Sequence, residues 1–373
     1  MSNKKVLIAT GGSGGHIIPA LAIAKDLKDQ DVKVEFIGAG GIFTHLVEKQ
    51  GFVFHNIKAF KYNNRGIIGK VKSIVFTYLS VIGALLQMRK IRPDYVLGMG
   101  SYASIATVLA AKLMGVNTAI HEQNVKPGRT NKILMHFADK IFLSFEETKQ
   151  FLAEKINEKN EIVVAGCPVE QKVLDAQTLE RSEDGKFRVL VLGGSQGARI
   201  LSDVVPQALI TLPEEIKKDL IVVQQTRPED LERVKEIYEE YNINHELATY
   251  FDDVPAKTRE TNLVIARSGA GTVCETATLG RVAIFVPLLL ADGHQMENAR
   301  VLTDKNASFI LETARFTPSN LAYEVLRLAE NPEILKTMER NSFKAIEQSR
   351  TAAKTVSREI LEDMANDQKA NNG

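Results

Sequence analysis

Short apolar runs alternate with longer segments whose apolar residues recur every three or four positions. The runs are Val6–Ala9, Val32–Ile37, Tyr95–Leu97, Thr118–Ile120, Lys140–Leu143 and Glu161–Ala165. Short runs rich in apolar residues, alternating with helical patterns, are what parallel strands covered on both faces give. Segments such as Pro19–Leu27 between the runs read as helices. Near Gly166-Cys167-Pro168 the alternation stops, and a polar segment, Asp175–Lys186, follows. The scheme then restarts with Phe187–Leu192 as a strand, Gly193–Arg199 as a glycine loop and Ile200–Ile210 as a helix. Two such openings predict an α/β protein made of two Rossmann-like, doubly wound parallel-sheet domains facing a cleft. Ligands of such sheets bind beyond the carboxyl ends of the strands, so the loops there are the candidate sites.

The expected bounds are 1–165 for the N-terminal domain, 166–343 for the C-terminal domain and 344–373 for a closing segment. That segment starts as a helical pattern (Ile346, Val356, Ile360, Leu361) and runs into the polar Ala365–Gly373, expected to be a disordered tail. The longest apolar stretch lies within Gly66–Pro93. Its residues Ile67, Val71, Ile74, Tyr78, Ile82 and Leu85 fall at helical spacing and are expected to face the core, while Ile68, Val75, Phe76, Leu79, Val81 and Leu86 widen the stripe. Ser73–Met88 carries no charge but is shorter than the ~20 residues that span a bilayer. Lys61, Arg65, Lys70 and Lys72 flank it on one side and Arg89, Lys90 and Arg92 on the other. An apolar patch with a basic rim suits the surface of an anionic membrane leaflet; a plain buried helix is the alternative.

Over 373 residues, 47 lysines and arginines nearly balance 46 aspartates and glutamates, so nucleic acid is not an indicated partner. The balance hides an asymmetry. Met1–Ala165 holds 22 basic against 13 acidic residues, and the remainder 25 against 33, which again suits an anionic surface for the first half. Two cysteines, Cys167 and Cys274, are too few for a disulfide framework and fit a reducing compartment. Met1–Lys5 leads straight into a strand without a signal-peptide pattern.

The chemistry concentrates in a few loops. Thr10-Gly11-Gly12-Ser13-Gly14-Gly15-His16 follows the first strand and opens a helix, an arrangement in which free amides and the helix dipole attract an anion. It lacks the third glycine and the acidic partner of a dinucleotide site, and the chain has no Gly-Lys-Ser/Thr for a Walker loop. His16 puts a titratable side chain in that loop, where a general base or a loop-orienting histidine could sit. Gly100-Ser101-Tyr102-Ala103-Ser104 and His121-Glu122-Gln123-Asn124 follow later strands of the same half. In the second half, Arg267-Ser268-Gly269-Ala270-Gly271-Thr272-Val273-Cys274-Glu275 offers amides and a hydroxyl for a diphosphate. Glu275 is placed to accept two hydrogen bonds from a ribose diol or to satisfy the helix dipole. Gln295 and Asn298, three apart on one helix face, suit sugar hydroxyls, with capping as the alternative. The histidines lack metal-ligand spacing, and Asp252-Asp253 are adjacent instead of alternating.

These loops, in order and spacing, resemble the MurG family of bacterial transferases in glycosyltransferase family 28. The resemblance covers nearly the whole chain. It implies a GT-B fold with a lipid-acceptor and membrane-associating N-terminal domain, a UDP-GlcNAc-binding C-terminal domain and a last helix returning to the first domain. It also implies an inverting, metal-independent hexosyltransferase without a cofactor, which moves GlcNAc from UDP-GlcNAc to the 4-hydroxyl of undecaprenyl-diphospho-MurNAc-pentapeptide in peptidoglycan synthesis. Such an enzyme works peripherally on the cytoplasmic face of the cell membrane, in cell-wall biogenesis and division, beside other cell-wall synthesis proteins. Carried over by position, Ser13, Gly14, Gly15 and Asn124 line the donor side and Ser195 contacts phosphate. Phe251 offers its backbone to uracil, Ala270, Gly271, Thr272, Val273 and Glu275 hold diphosphate and ribose, and Gln295 with Asn298 binds GlcNAc hydroxyls. Tyr102 and His121 fall on the acceptor side. His16 is the first candidate for the base and Glu122 the second. Glu170 stands where many of the family carry arginine. The competing readings are a GT-B transferase with another lipid acceptor such as diacylglycerol, an epimerase of UDP-GlcNAc, and a non-catalytic UDP-sugar-binding protein.

Overall fold

The apolar runs become parallel strands in two sheets. The computed structural model of the chain describes residues 4–11, 13–40, 44–57, 66–153, 156, 158, 160–194, 197–288 and 293–372, and side-chain surroundings for all of these except 66–74, 368 and 370–372. Two units divide the chain, one formed by Met1–Glu170 with Gln348–Gly373 and the other by Gln171–Glu347.

In the first unit, β1 (Lys5–Thr10), β2 (Lys33–Gly38), β3 (Val53–Asn56), β4 (Tyr95–Gly98), β5 (Asn117–Glu122), β6 (Lys140–Leu143) and β7 (Glu161–Val164) pair in parallel in the order β3-β2-β1-β4-β5-β6-β7. Helices α1 (Gly14–Asp29), α2 (Thr44–Lys49), α3 (Gly66–Ile91), α4 (Ser101–Leu113) and α5 (Arg129–Leu134) lie between them in sequence. The second unit holds β8 (Phe187–Leu192), β9 (Leu220–Gln225), β10 (Asn244–Ala248), β11 (Leu263–Ala266), β12 (Val282–Phe285) and β13 (Ser308–Ile310), all parallel, in the order β10-β9-β8-β11-β12-β13. Strand order reverses beside β1 and again beside β8. The loops that leave β1 and β4 therefore part in opposite directions, as do those leaving β8 and β11, and each pair opens a crevice at the carboxyl edge of its sheet.

Strands β3, β10 and β13 lie outside the apolar runs because they are edges with polar or half-exposed residues. Strand β9 is shortened as a pattern by Gln224-Gln225, of which Gln224 is buried. Strand β12 stops at Phe285, two residues before Pro287, which cannot donate to a ladder.

Two expectations are corrected. Helix α3 packs in a different phase from the one its spacing suggested. Val81, Ala84, Met88 and Ile91 are buried, whereas Tyr78 is 66% exposed and Ile82 is exposed, together with Val75, Phe76, Leu79 and Leu86. Ile67, Ile68, Val71 and Ile74 lie outside the described side chains. The uncharged stretch Ser73–Met88 offers no charged face to mark its rotation, and the stripe at 81, 84, 88 and 91, with the small Ala84, is the one that enters the core shared with α4. The polar tail is helical, not disordered: the C-terminal helix runs from Ala352 to Asn372.

What that helix docks against explains its polarity. Val356, Ile360 and Met364, spaced by four, enter the same core as Ile17, Leu21 and Ala24 of α1. Beside them Lys140, its side chain only 4% exposed, meets Asp363 at 2.8 Å, Glu359 at 3.0 Å and Glu161 at 3.1 Å. Tyr95 donates to Asp363 at 2.8 Å, and Asn117 donates to Asp367. Burial alone would lower the pKa of Lys140. Its hydrogen bonds to Asp363 and Glu359 outweigh that and hold it above the ordinary lysine range. The chain crosses back at Gly166, whose φ is +89° and where a Cβ would come within 2.7 Å of the Gln348 carbonyl. Next to it Cys167 N–H donates to Ser349 Oγ at 3.1 Å.

Removing the cation takes from Asp363 and Glu359 the buried charge they share, although Tyr95 and Arg358 stay with them. Lys140→Met is expected to destabilise the first unit by about 3 kcal/mol, read as a lower urea midpoint, and an unchanged midpoint would show that the apolar stripe alone holds the helix.

Candidate functional site

In the first unit the site starts where β1 ends. Gly11 gives way to Ser13, the N-cap of α1, whose side chain makes no capping bond; no acidic residue stands in the first turn. The helix start is therefore open to an anion. Gly12 lies outside the described residues. Ser13 and Gly15 are exposed, Gly14 is half-buried, and a Cβ at Gly15 would meet nothing within 4 Å. Beyond β4, Gly100 and Ser101 both take positive φ, +91° and +70°, as α4 begins. The serine pays for strain that glycine would not feel, and its side chain fills the space a Cβ at Gly11 would need. Tyr102 is half-buried in the same turn.

His16 sits in the first turn of α1, half-buried, with Nδ1 3.2 Å from Gln123 Oε1. Burial pushes its pKa below the ordinary imidazole value, and the Glu122 carboxylate opposes that shift. The end of β5 supplies the rest. Glu122, 1% exposed, accepts from Asn124 N–H at 2.9 Å, Asn124 Nδ2 at 3.2 Å, Gly128 N–H at 2.9 Å and Asn131 Nδ2 at 2.9 Å. Both of its oxygens are engaged in folding the loop into α5. His121 is fully buried, with Nε2 3.3 Å from the Gly166 carbonyl and Nδ1 3.2 Å from Gln123 Nε2. Burial brings its pKa down to about 4, so it is neutral. Its expected place facing an acceptor is corrected: β5 turns it inward, on the side opposite Glu122.

In the second unit, the loop after β8 carries Gly194 and Gly197 at φ +76° and +67°, and a Cβ at Gly197 would run into Arg227 at 2.8 Å. Ser195 lies outside the described residues. After β11, Gly269 caps the helix Ala270–Thr278 without a side-chain bond or a first-turn acid, leaving its amides to a ligand. Ala270 is buried, and Gly271, Thr272 and Glu275 are half-buried along this turn. Val273 turns away: its side chain is core and its amide bonds the Gly269 carbonyl at 3.0 Å. Asn298 is fully buried and donates to the Ser268 carbonyl at 3.3 Å, so it braces the loop and does not reach solvent. Ser268 Oγ in turn donates to the Gln295 carbonyl at 2.8 Å, and Gln295 Oε1 accepts from Leu288 N–H at 2.8 Å. Phe251 is buried under Lys257, whose Nζ lies 4.9 Å from the ring centroid.

Gln123, Asn131 and Ser268 are the members that sequence reasoning passed over. Gln123 had a signal: it lies two residues from His121 at a strand end, so both face the same way. Among the described residues no three of His, Cys, Asp and Glu gather as a metal site would.

Residues 6–143 match the glycosyltransferase family 28 N-terminal domain and residues 188–356 match the glycosyltransferase family 28 C-terminal domain. The UDP-N-acetylglucosamine–N-acetylmuramyl-(pentapeptide) pyrophosphoryl-undecaprenol N-acetylglucosamine transferase of Paramagnetospirillum magneticum is 39% identical over 350 residues, 90% of this chain and 91% of that protein. The transferase of the same name from a Geobacter species is 34% identical over 99% of both chains. The crystal structure of Acinetobacter baumannii MurG superposes with a TM-score of 0.77 at 28% identity, covering 96% of this chain and 99% of that one. A UDP-GlcNAc 2-epimerase from Neisseria meningitidis shares the fold, with a TM-score of 0.70 at 13% identity over 96% of this chain and all of that one. With both halves matched and the likeness unbroken across their length, the chain belongs to glycosyltransferase family 28.

Proposed function

We propose that the chain transfers N-acetylglucosamine from UDP-GlcNAc to undecaprenyl-pyrophosphoryl-N-acetylmuramyl-pentapeptide, with attack by the muramoyl 4-hydroxyl and inversion at the anomeric carbon. The observation that carries the substrate pair is the likeness, over nine tenths of both chains, to transferases named for it. In this reading the first unit takes the lipid acceptor and the second takes the nucleotide sugar. The amides at Ala270–Thr272 face the diphosphate, Glu275 accepts from the ribose diol, and the amide nitrogen of Gln295 serves the sugar. As the acceptor oxygen bonds to C1, its proton passes to His16 and the C1–O bond to UDP breaks, with the electron pair leaving on the diphosphate. His16 suits the base better than Glu122, because the glutamate already holds four donors. The exposed apolar side chains of α3 rest on an anionic leaflet beside Arg89 and Lys90. No helix among the described residues is long and apolar enough to cross a membrane.

The deciding assay is UDP release from UDP-GlcNAc with and without a water-soluble analogue of the lipid acceptor. Acceptor-dependent release with a disaccharide product is expected, and binding of UDP-GlcNAc without turnover would leave a sugar-nucleotide binder. His16→Ala should lower kcat by ~10²–10⁴-fold, and an unchanged kcat removes it as base. Because burial lowers the His16 pKa, its base form persists into acid: the acidic limb of the rate profile should fall below about pH 6.5.

Glu122→Gln separates scaffold from chemistry. An amide nitrogen placed against Gly128 N–H and Asn131 Nδ2 sets donor against donor, so the Tm should drop by several degrees. Lost activity at an unchanged Tm would instead make Glu122 a chemical participant. On the membrane side, Leu79→Glu with Leu86→Glu should cut binding to anionic vesicles by about tenfold or more and leave turnover of the soluble acceptor analogue intact; full binding would reject the α3 contact.

A further inference from the structure

We infer that Gln123 sets the tautomer of His16, holding the ring proton on Nδ1 so that Nε2 offers its lone pair to the acceptor hydroxyl. The inference rests on the reading of His16 as the base, and it makes Gln123 a positioning residue for the transfer.

The assignment runs through a chain of hydrogen bonds whose end groups can only accept. It starts at the Gly166 carbonyl, which can only accept. His121 Nε2, 3.3 Å away, must therefore carry the proton. His121 is fully buried and neutral, so its Nδ1 keeps a lone pair and accepts from Gln123 Nε2 at 3.2 Å. The two hydrogens of that amide nitrogen are shared with two further acceptors, the Met99 carbonyl at 3.1 Å and the His121 carbonyl at 3.2 Å. A flipped carboxamide would turn its oxygen toward two carbonyl oxygens and a ring lone pair, so the orientation follows from the chemistry of the neighbours. Gln123 is 3% exposed, so its amide has no water to pair with in place of these partners. Its Oε1 then faces His16 Nδ1 at 3.2 Å and can only accept. A neutral imidazole that donates through Nδ1 is an acceptor at Nε2.

The surroundings of His16 add no competing proton site. Glu122, at the end of β5, is the charged group that acts on the ring, and its four donors hold it in the loop. From the turn before α4 the Met99 carbonyl also accepts from the His16 ring, so Gln123 acts with it in placing the ring proton; Gly100 lies against the ring and α5 sends Asn131, and none of these titrates. His121 acts only through Gln123. A neutral amide thus orients the ring in the way a carboxylate does in hydrolase triads, without a full negative charge that would favour the imidazolium.

The test is a long-range 1H–15N spectrum of the full-length protein labelled at the histidine ring nitrogens. With seven histidines, the His16→Gln variant assigns the His16 signals by their disappearance. The wild type is expected to show His16 protonated at Nδ1 near neutral pH. Gln123→Met keeps the length and removes both halves of the amide; in it His16 should move to a mixture rich in the Nε2–H form, with kcat down by about ten- to a hundredfold, short of losing the base outright, and the KM for UDP-GlcNAc little changed. Wild-type His16 protonated at Nε2 overturns the inference, and that reading needs no variant to fold. So does a Gln123→Met protein in which His16 stays protonated at Nδ1. If the tautomer moves but kcat survives in both Gln123→Met and His16→Ala, the hydrogen-bond assignment stands and the base reading falls.

Discussion

Parallel strands cannot be joined by tight turns. Every connection must return the length of the sheet, and a helix is the element that does so while covering the strands. One result is that the central strands are apolar over their length, as in Val6–Ala9 and Leu263–Ala266, because both faces are roofed. A second is that helices which follow a strand begin at its carboxyl edge, so their positive ends collect there. The open starts of α1 and of the helix Ala270–Thr278 are two products of the same constraint, one in each unit.

Around those helix starts, polar side chains are buried to stiffen loops that have no ladder to hold them. Glu122 folds the segment up to Asn131 around its carboxylate, and Ser268 with Asn298 ties the loop after β11 to the helix His294–Thr303. Such side chains look functional in a sequence because the core would not require them. Their function is nonetheless carried out through a neighbour: the glutamate shapes the environment of His16, and the asparagine keeps Gly269 where its following amides point outward. The strained pair Gly100-Ser101 belongs to the same economy, packed against Gly11 where no side chain would fit.

The parallel-sheet class, the glycine turns and the strand-end loops were legible because each rests on a short-range rule: apolar runs, glycines at turns, helix starts after strands. What escaped depended on the third dimension. The rotation of α3 could not be read from a stretch without charge on any side; only its fit against α4 selects Ala84 and Met88 over Tyr78 and Ile82. The edge strands lack the apolar signal by virtue of being edges. Asp367, in the segment expected to be a solvated tail, and Asp363 before it prove to be docking residues, whose partners Lys140, Tyr95 and Asn117 lie more than two hundred positions upstream. Among the loop residues, Val273 and Asn298 share motifs with groups that face outward, and only burial distinguishes them.

The return of the chain through Gly166 and Gln348 gives the two units different histories. Residues 171–347 form an uninterrupted unit, whereas the first unit is split between the two ends of the sequence. On the ribosome the second unit can close as soon as it emerges, while the first must wait, its α1 face uncovered and Lys140 without Glu359 and Asp363, until translation reaches the last helix. The half of the molecule made first is thus the half finished last, and a chain cut short after the second unit would carry that exposed apolar face with it.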